Sequence, residues 1–170
     1  DRSIPILTNP PQSTMSLSTG QPAPDFTLYS DAMEAFTLSD YQGTPVLLLF
    51  FPGAFTSVCT TELNTVNNTR EDFGEEVQIA GIATDSPFVL SEFSEVNDLH
   101  FPLLSDHDAE VSAAYGAKYD RDFTDMELDR IAKRAAFVID EGGTIRYAEV
   151  LDNAGKLPDF DAIQETLATL

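Results

Sequence analysis

Cysteine is almost absent: Cys59 is the only one in 170 residues. A lone thiol cannot close an intrachain disulfide, so a disulfide-stapled secreted scaffold and a Cys-x-x-Cys reductase are both excluded. Histidine is nearly as scarce. His100 and His107 have no partners at ligand spacing, which leaves a zinc site without its donors. A cysteine–histidine hydrolase would need one of them beside Cys59, and no hydrolase signature surrounds that residue. No apolar run approaches the roughly 18 residues of a membrane span. The opening residues Asp1 to Leu7 lack the basic start and long apolar core of a signal peptide. These absences predict a cytoplasmic protein with no membrane partner.

Positive charge is also scarce. Lysine occurs only at Lys118, Lys133 and Lys156, and 29 acidic residues face 9 Lys plus Arg, for a net charge of −20. Nothing here neutralises phosphates, so a nucleic-acid partner is not expected. The acids are spread along the chain, which describes an acidic folded surface rather than a disordered tail. Such a surface repels itself in dilute buffer, whereas molar salt shortens the Debye length to about 3 Å and screens it. The pattern resembles the surfaces of proteins from extreme halophiles.

What the chain has in quantity is apolar material, 42% of residues with 12 Phe, enough for one domain with a real core. Residues 1–19 carry no periodic apolar pattern and are expected to be a flexible N-terminal segment, with Met15 a candidate natural start. The folded domain is expected over 20–170. Pro24 to Leu28 and Ala35 to Leu38 read as short strands around a turn. Pro45 to Phe51 is a continuous apolar run, the mark of a strand covered on both faces. A helix follows from about Ser57 to Asp72, with Glu62 assigned to its first turn as a dipole-matched acid. Val77 to Ala83 is a second central strand, Ser86-Pro87 opens a helix to about Asn97, and Phe101 to Leu104 is a brief strand. Ala109 to Tyr115 is a short helix stopped by Gly116. Ala135 to Asp140 and Thr144 to Val150 flank Glu141-Gly142-Gly143, a hairpin turn, and a last helix covers Pro158 to Leu170. The order predicts an α/β protein of thioredoxin fold: a mixed central sheet with helices on both faces and an N-terminal β-hairpin extension.

Cys59 falls at the junction between the first central strand and its helix, in Phe50-Phe51-Pro52-Gly53-Ala54-Phe55-Thr56-Ser57-Val58-Cys59-Thr60-Thr61-Glu62. A helix N-terminus directs unpaired N–H groups and a positive dipole end at whatever occupies it. A thiolate is favoured there, although a lone cysteine is otherwise usually a small buried hydrophobe. The spacing Pro52-x-x-x-Thr56-x-x-Cys59 resembles the active-site signature of the peroxiredoxins. A second likeness lies at Lys133-Arg134-Ala135-Ala136-Phe137-Val138, where that family carries an arginine just before a strand. The likeness runs from about Gly20 to Leu170, and its wording is closest to one-cysteine enzymes of the alkyl hydroperoxide reductase E type.

The resemblance implies a thiol-dependent peroxidase for hydrogen peroxide, alkyl hydroperoxides or both. Cys59 would attack the peroxide and become a sulfenic acid. An ordinary thiol of pKa near 8.5 is only about 3% ionised at pH 7, and making it mostly thiolate requires about 3.4 kcal/mol. A helix terminus supplies at most about 2 kcal/mol. Arg134 is the candidate for the remainder, and would also stabilise the breaking O–O bond. Thr56 would orient the peroxide, Pro52 would shield the thiolate from water, and Glu62 would hold Arg134. Each has a plainer reading: Thr56 as a helix cap, Pro52 as a strand end, Glu62 as a first-turn acid, Arg134 as a surface charge. No cofactor and no metal are expected. With no second cysteine, the reductant would be an external thiol or a thioredoxin- or glutaredoxin-like protein. Family members often dimerise through loops beside the active site, so a homodimer is expected, with Phe55 and Phe123 as candidate surface. The alternative is a redox-sensing or thioredoxin-fold binding protein whose cysteine oxidises slowly and does not turn over. Asp120 to Asp125 lacks the glycine and terminal glutamate of a calcium loop and reads as solvated surface.

Overall fold

A computed structural model of the chain describes residues 17–170. The expectation for residues 1–16, Met15 included, lies outside the described residues. Among the described residues, seven strands form one sheet in the order β2-β1-β5-β4-β3-β6-β7. They are β1 (Thr27–Ser30), β2 (Ala35–Thr37), β3 (Val46–Phe50), β4 (Gln78–Ala83), β5 (Leu103–Ser105), β6 (Ala135–Ile139) and β7 (Ile145–Val150). The helices are α1 (Ser57–Asn68), α2 (Pro87–Val96), α3 (Glu110–Ala114) and α4 (Phe160–Ala168).

The centre is parallel: β3 pairs with β4, and β4 with β5. Parallel strands need crossovers, and α1 and α2 supply them. All five residues of β3 are buried, as a strand covered on both faces requires. Its alternate residues serve two cores. Leu47 and Leu49 face α1, α2 and α4 through Leu63, Val66, Leu90, Phe93, Ile163 and Leu167. Val46, Leu48 and Phe50 face the other side, where Tyr115 and Phe137 meet Phe50 at ring separations of 5.4 and 5.7 Å. The expected helix-flanked mixed sheet is the observed one. The N-terminal hairpin is part of the sheet, because β1 pairs antiparallel with β5 as well as with β2.

Gly81 in β4 answers to a close approach. A Cβ there would lie 2.7 Å from Leu103 Cδ2 and 3.2 Å from Phe51 Cε1. In the β6–β7 hairpin, Gly143 takes φ 83°, which a side chain would strain.

Element boundaries differ from the sequence reading in several places: β1 begins at Thr27 rather than Pro24, and β5 at Leu103 rather than Phe101. The first helix ends at Asn68, not near Asp72, and a separate 3₁₀ turn covers Arg70–Phe73. Asn67, Asn68 and Thr69 are poor helix formers, and Arg70 turns its guanidinium back to the Gly74 and Val77 carbonyls. The third helix begins at Glu110, because Ala109 sits in the left-handed region at φ 59°. The last helix begins at Phe160 rather than Pro158, since Asp159 caps it by accepting the Ala162 N–H at 3.0 Å. Among the described residues no helix is long and apolar enough to cross a membrane.

Candidate active site

β3 delivers the chain into the site. Phe51 continues the ladder by donating to Ile82 O at 2.9 Å, and Phe51 and Pro52 are both buried. The loop that follows is held from outside and from within. Asp85, just past β4, accepts the Ala54 N–H at 2.8 Å. Phe55 adopts φ 64°, uncommon for a bulky residue, with its ring edge-on to Phe93 at 5.1 Å. Thr56 is the N-cap residue of α1, but its hydroxyl makes no capping bond. It donates instead to Gly53 O at 2.8 Å and closes the loop on itself.

Cys59 is the third residue of α1 and is 1% exposed. The N–H groups of Ser57, Val58 and Cys59 precede the first intrahelical bond, from Thr60 N to Thr56 O, so the unpaired end of the helix is built around the thiol. Glu62 lies three residues further on the same face of α1. It is fully buried in the second turn, which corrects its assignment to the first turn as a dipole-matched acid: α1 has no acidic residue in its first turn.

Arg134 reaches this face by sheet register. β6 runs antiparallel to β3 with Ala135 opposite Phe50, so the residue before Ala135 lies where β3 gives way to the cysteine loop. Arg134 is 1% exposed, the largest fully buried side chain among the described residues. Its Nη1 donates to Glu62 Oε2 at 2.7 Å and its Nη2 to Cys59 Sγ at 3.2 Å. Nη2 also donates to the carbonyl of Ala154 at 3.0 Å. Glu62 Oε1 and Arg134 Nε are buried without a partner among the described residues.

One guanidinium thus faces two groups that can each be anionic. Burial pushes the Glu62 carboxyl up to about 7, against the pull of Arg134 and with a further push from Glu149. Arg134 is held above its ordinary value: burial lowers it, but the charges and hydrogen bonds of Glu62 and Cys59 outweigh that. A buried pair of this kind contributes little net stability, because desolvation offsets the attraction. What it contributes is a cation held beside the sulfur. Tyr119, 4% exposed, lies within the electrostatic reach of Cys59 and Arg134, with Lys133 Nζ 5.6 Å from its ring centre. Burial raises its phenol above the ordinary value.

Of the five site residues expected from the sequence, the structure brings Cys59, Glu62 and Arg134 into one hydrogen-bonded cluster. Pro52 and Thr56 bracket the loop that leads to it, with the Thr56 hydroxyl exposed and turned to Gly53. Two contacts were not legible in the sequence. Asp85 lies 31 residues from the Ala54 amide it holds, and Ala154 acts through its main chain, which no side-chain motif marks. Among the described residues no three His, Cys, Asp or Glu side chains group as a metal site would require.

Known proteins share this arrangement of chain. The AhpC/TSA family model matches residues 19–148. Peroxiredoxin Bcp of Escherichia coli is 36% identical over 132 residues, 77% of this chain and 84% of that protein. The crystal structure of peroxidoxin BcpB from Mycobacterium tuberculosis is 28% identical, with a TM-score of 0.77 over 89% of this chain and 97% of that one. A peroxiredoxin-like protein from Aquifex aeolicus, at 21% identity, shares the fold with a TM-score of 0.82 over 91% of this chain and 88% of that one. The likeness therefore covers both motifs, the cysteine loop and the arginine strand. The chain belongs to the AhpC/TSA family, with the peroxiredoxins.

Proposed function

We propose that the chain is a thiol-dependent peroxidase acting through Cys59. The observation that carries this reading is the contact of Arg134 Nη2 with Cys59 Sγ at 3.2 Å, at a helix N-terminus and away from bulk water. A charged donor at that distance favours the thiolate, which is the nucleophile. In the reaction the thiolate sulfur bonds to the distal peroxide oxygen, the O–O bond breaks, and the leaving alkoxide or hydroxide takes a proton to depart as alcohol or water. Cys59 is then a sulfenic acid. The Arg134 guanidinium would stabilise the charge that develops on the oxygens. Thr56 would orient the peroxide after its hydroxyl leaves Gly53, and buried Pro52 would exclude water.

Return to the thiol requires a donor from outside, since the chain has no second cysteine. An external thiol attacks the sulfenic sulfur and expels water, and a second thiol releases Cys59 from the mixed disulfide. A small thiol or a thioredoxin- or glutaredoxin-like protein fits this role. We also propose a cytoplasmic enzyme that works in high salt, with no nucleic-acid or membrane partner, and forms a homodimer, with exposed Phe55 and half-buried Phe123 as candidate surface.

The test is thiol loss at Cys59 with one equivalent of hydrogen peroxide or an alkyl hydroperoxide in molar salt, the sulfenic acid being trapped and located by mass spectrometry. Oxidation orders of magnitude faster than free cysteine, followed by turnover with an added thiol, is the expected result. Fast oxidation without turnover by any thiol or dithiol protein would favour a redox sensor. A rate no better than free cysteine with both peroxides would refute the peroxidase.

A further inference from the structure

Arg134 serves Cys59 only while its fork points at the sulfur, and Glu62 alone does not fix that direction. Nη1 is anchored at Glu62 Oε2, while Nε has no partner among the described residues. A planar group held at one corner can still pivot about that corner. The second anchor comes from the segment after β7. Nη2 carries two hydrogens, and with one held by the Ala154 carbonyl at 3.0 Å the other is aimed at Sγ at 3.2 Å.

That carbonyl is itself held. Lys156 N–H donates to Asn153 O at 3.1 Å, which closes a four-residue turn with Ala154 and Gly155 at its centre. Gly155 N–H donates to Asn153 Oδ1 at 2.9 Å. Upstream, Leu151 N–H donates to Arg134 O at 2.9 Å, and Lys133 Nζ pairs with Asp152 Oδ1 at 3.1 Å. The two residues that lead into the turn are therefore tied to Arg134 and its neighbour, and Pro158 beyond the turn is buried. We propose that Ala154 is a positioning residue: through its main-chain carbonyl the turn over residues 153–156 orients the Arg134 guanidinium, and so the N–H that meets Cys59. The proposal rests on the reading of Cys59 as a thiolate nucleophile.

Neither Ala154 nor Gly155 has positive φ. In such a turn, proline at the third position forces the second residue out of the helical region. Gly155→Pro therefore rotates the Ala154 carbonyl away from Nη2 while leaving every charged group near the site in place. Those groups are Glu62 on α1, Glu149 on β7, and Lys133 and Asp152 around the arginine, beside the neutral Tyr119 phenol. Asn153→Ala perturbs the same turn more gently by removing the Oδ1 acceptor.

The experiment is a double-mutant cycle between Gly155→Pro and Arg134→Ala, in molar salt, with urea unfolding to show that each variant is folded. Two rates are read: peroxide oxidation of Cys59, and its alkylation by iodoacetamide as a function of pH. In the native background, Gly155→Pro should slow oxidation about tenfold, as expected for losing one hydrogen bond to a charged group, and move the alkylation profile to higher pH. In the Arg134→Ala background it should add nothing. Asn153→Ala should give about a threefold loss with the same dependence on Arg134. Equal slowing in both backgrounds, or none in the native one, overturns the role of Ala154 while leaving the peroxidase reading intact. Wild-type Cys59 reacting no faster than free cysteine with both reagents overturns the thiolate reading and this proposal with it.

Discussion

Glu62 should make this protein lose stability as the solution turns from acid to neutral, and Glu62→Gln should abolish that loss. The carboxyl rises from an ordinary 4.5 to about 7 because burial penalises its charged form. Between those two values the folded state holds a proton that the unfolded state has released. Its stabilising contribution is therefore complete below about pH 4.5 and is lost as pH rises through about 7. A gap of roughly two and a half units corresponds to about 3 kcal/mol across the window. Glutamine keeps an oxygen for Arg134 Nη1 and does not titrate. The assay is urea unfolding of both proteins at pH 5 and pH 8, in molar salt so that exposed charges are screened in both. The stability difference between variant and wild type should shift by about 3 kcal/mol in favour of the variant at the higher pH. The lowered values of Asp129 and Asp140 come from partners other than Glu62, so their contributions cancel between the two proteins. Parallel stabilities at the two pH values would refute the reasoning and show that Arg134 keeps Glu62 ionised throughout.

Arg134→Ala should slow peroxide oxidation of Cys59 by about a hundredfold or more, since it removes the charged group that donates to the sulfur; an unchanged stopped-flow rate would refute its role. Arg134→Lys should recover only part of that loss, because an ammonium cannot serve Glu62, Ala154 and Cys59 in one plane. Gly81→Ala should cost about 1–3 kcal/mol in urea unfolding, as its Cβ would sit 2.7 Å from Leu103 Cδ2 in the packed core. The melting temperature should climb as salt is raised from about 0.1 to 1 M, where the Debye length falls from about 10 to 3 Å; a flat profile would contradict repulsion among charges summing to −20.

The architecture was largely legible because its signals are local. The all-apolar run of β3, Pro87 after Ser86, and Gly143 in the last hairpin each report on their own few residues. Boundaries were less legible where a side chain competes with the helix, as Arg70 does beyond α1 and Asp159 does before α4. Glu62 shows the same limit at the site. Its position in the chain fitted a helix-terminal acid, yet α1 places it inward, where burial rather than the dipole governs its charge.

By itself the sequence determined the alternation of strands and helices, the acidity of the surface, the single thiol and the residue types able to activate it. These depend on composition and short-range spacing. Only the tertiary structure decided that Arg134, 75 residues from Cys59, donates to its sulfur, because that contact follows from the β3–β6 register. It alone placed the Thr56 hydroxyl on Gly53, made Asp85 a tether of the cysteine loop, and put the Ala154 carbonyl on the guanidinium. Such contacts join distant main-chain and side-chain groups, and their geometry exists only once the sheet has closed around the site.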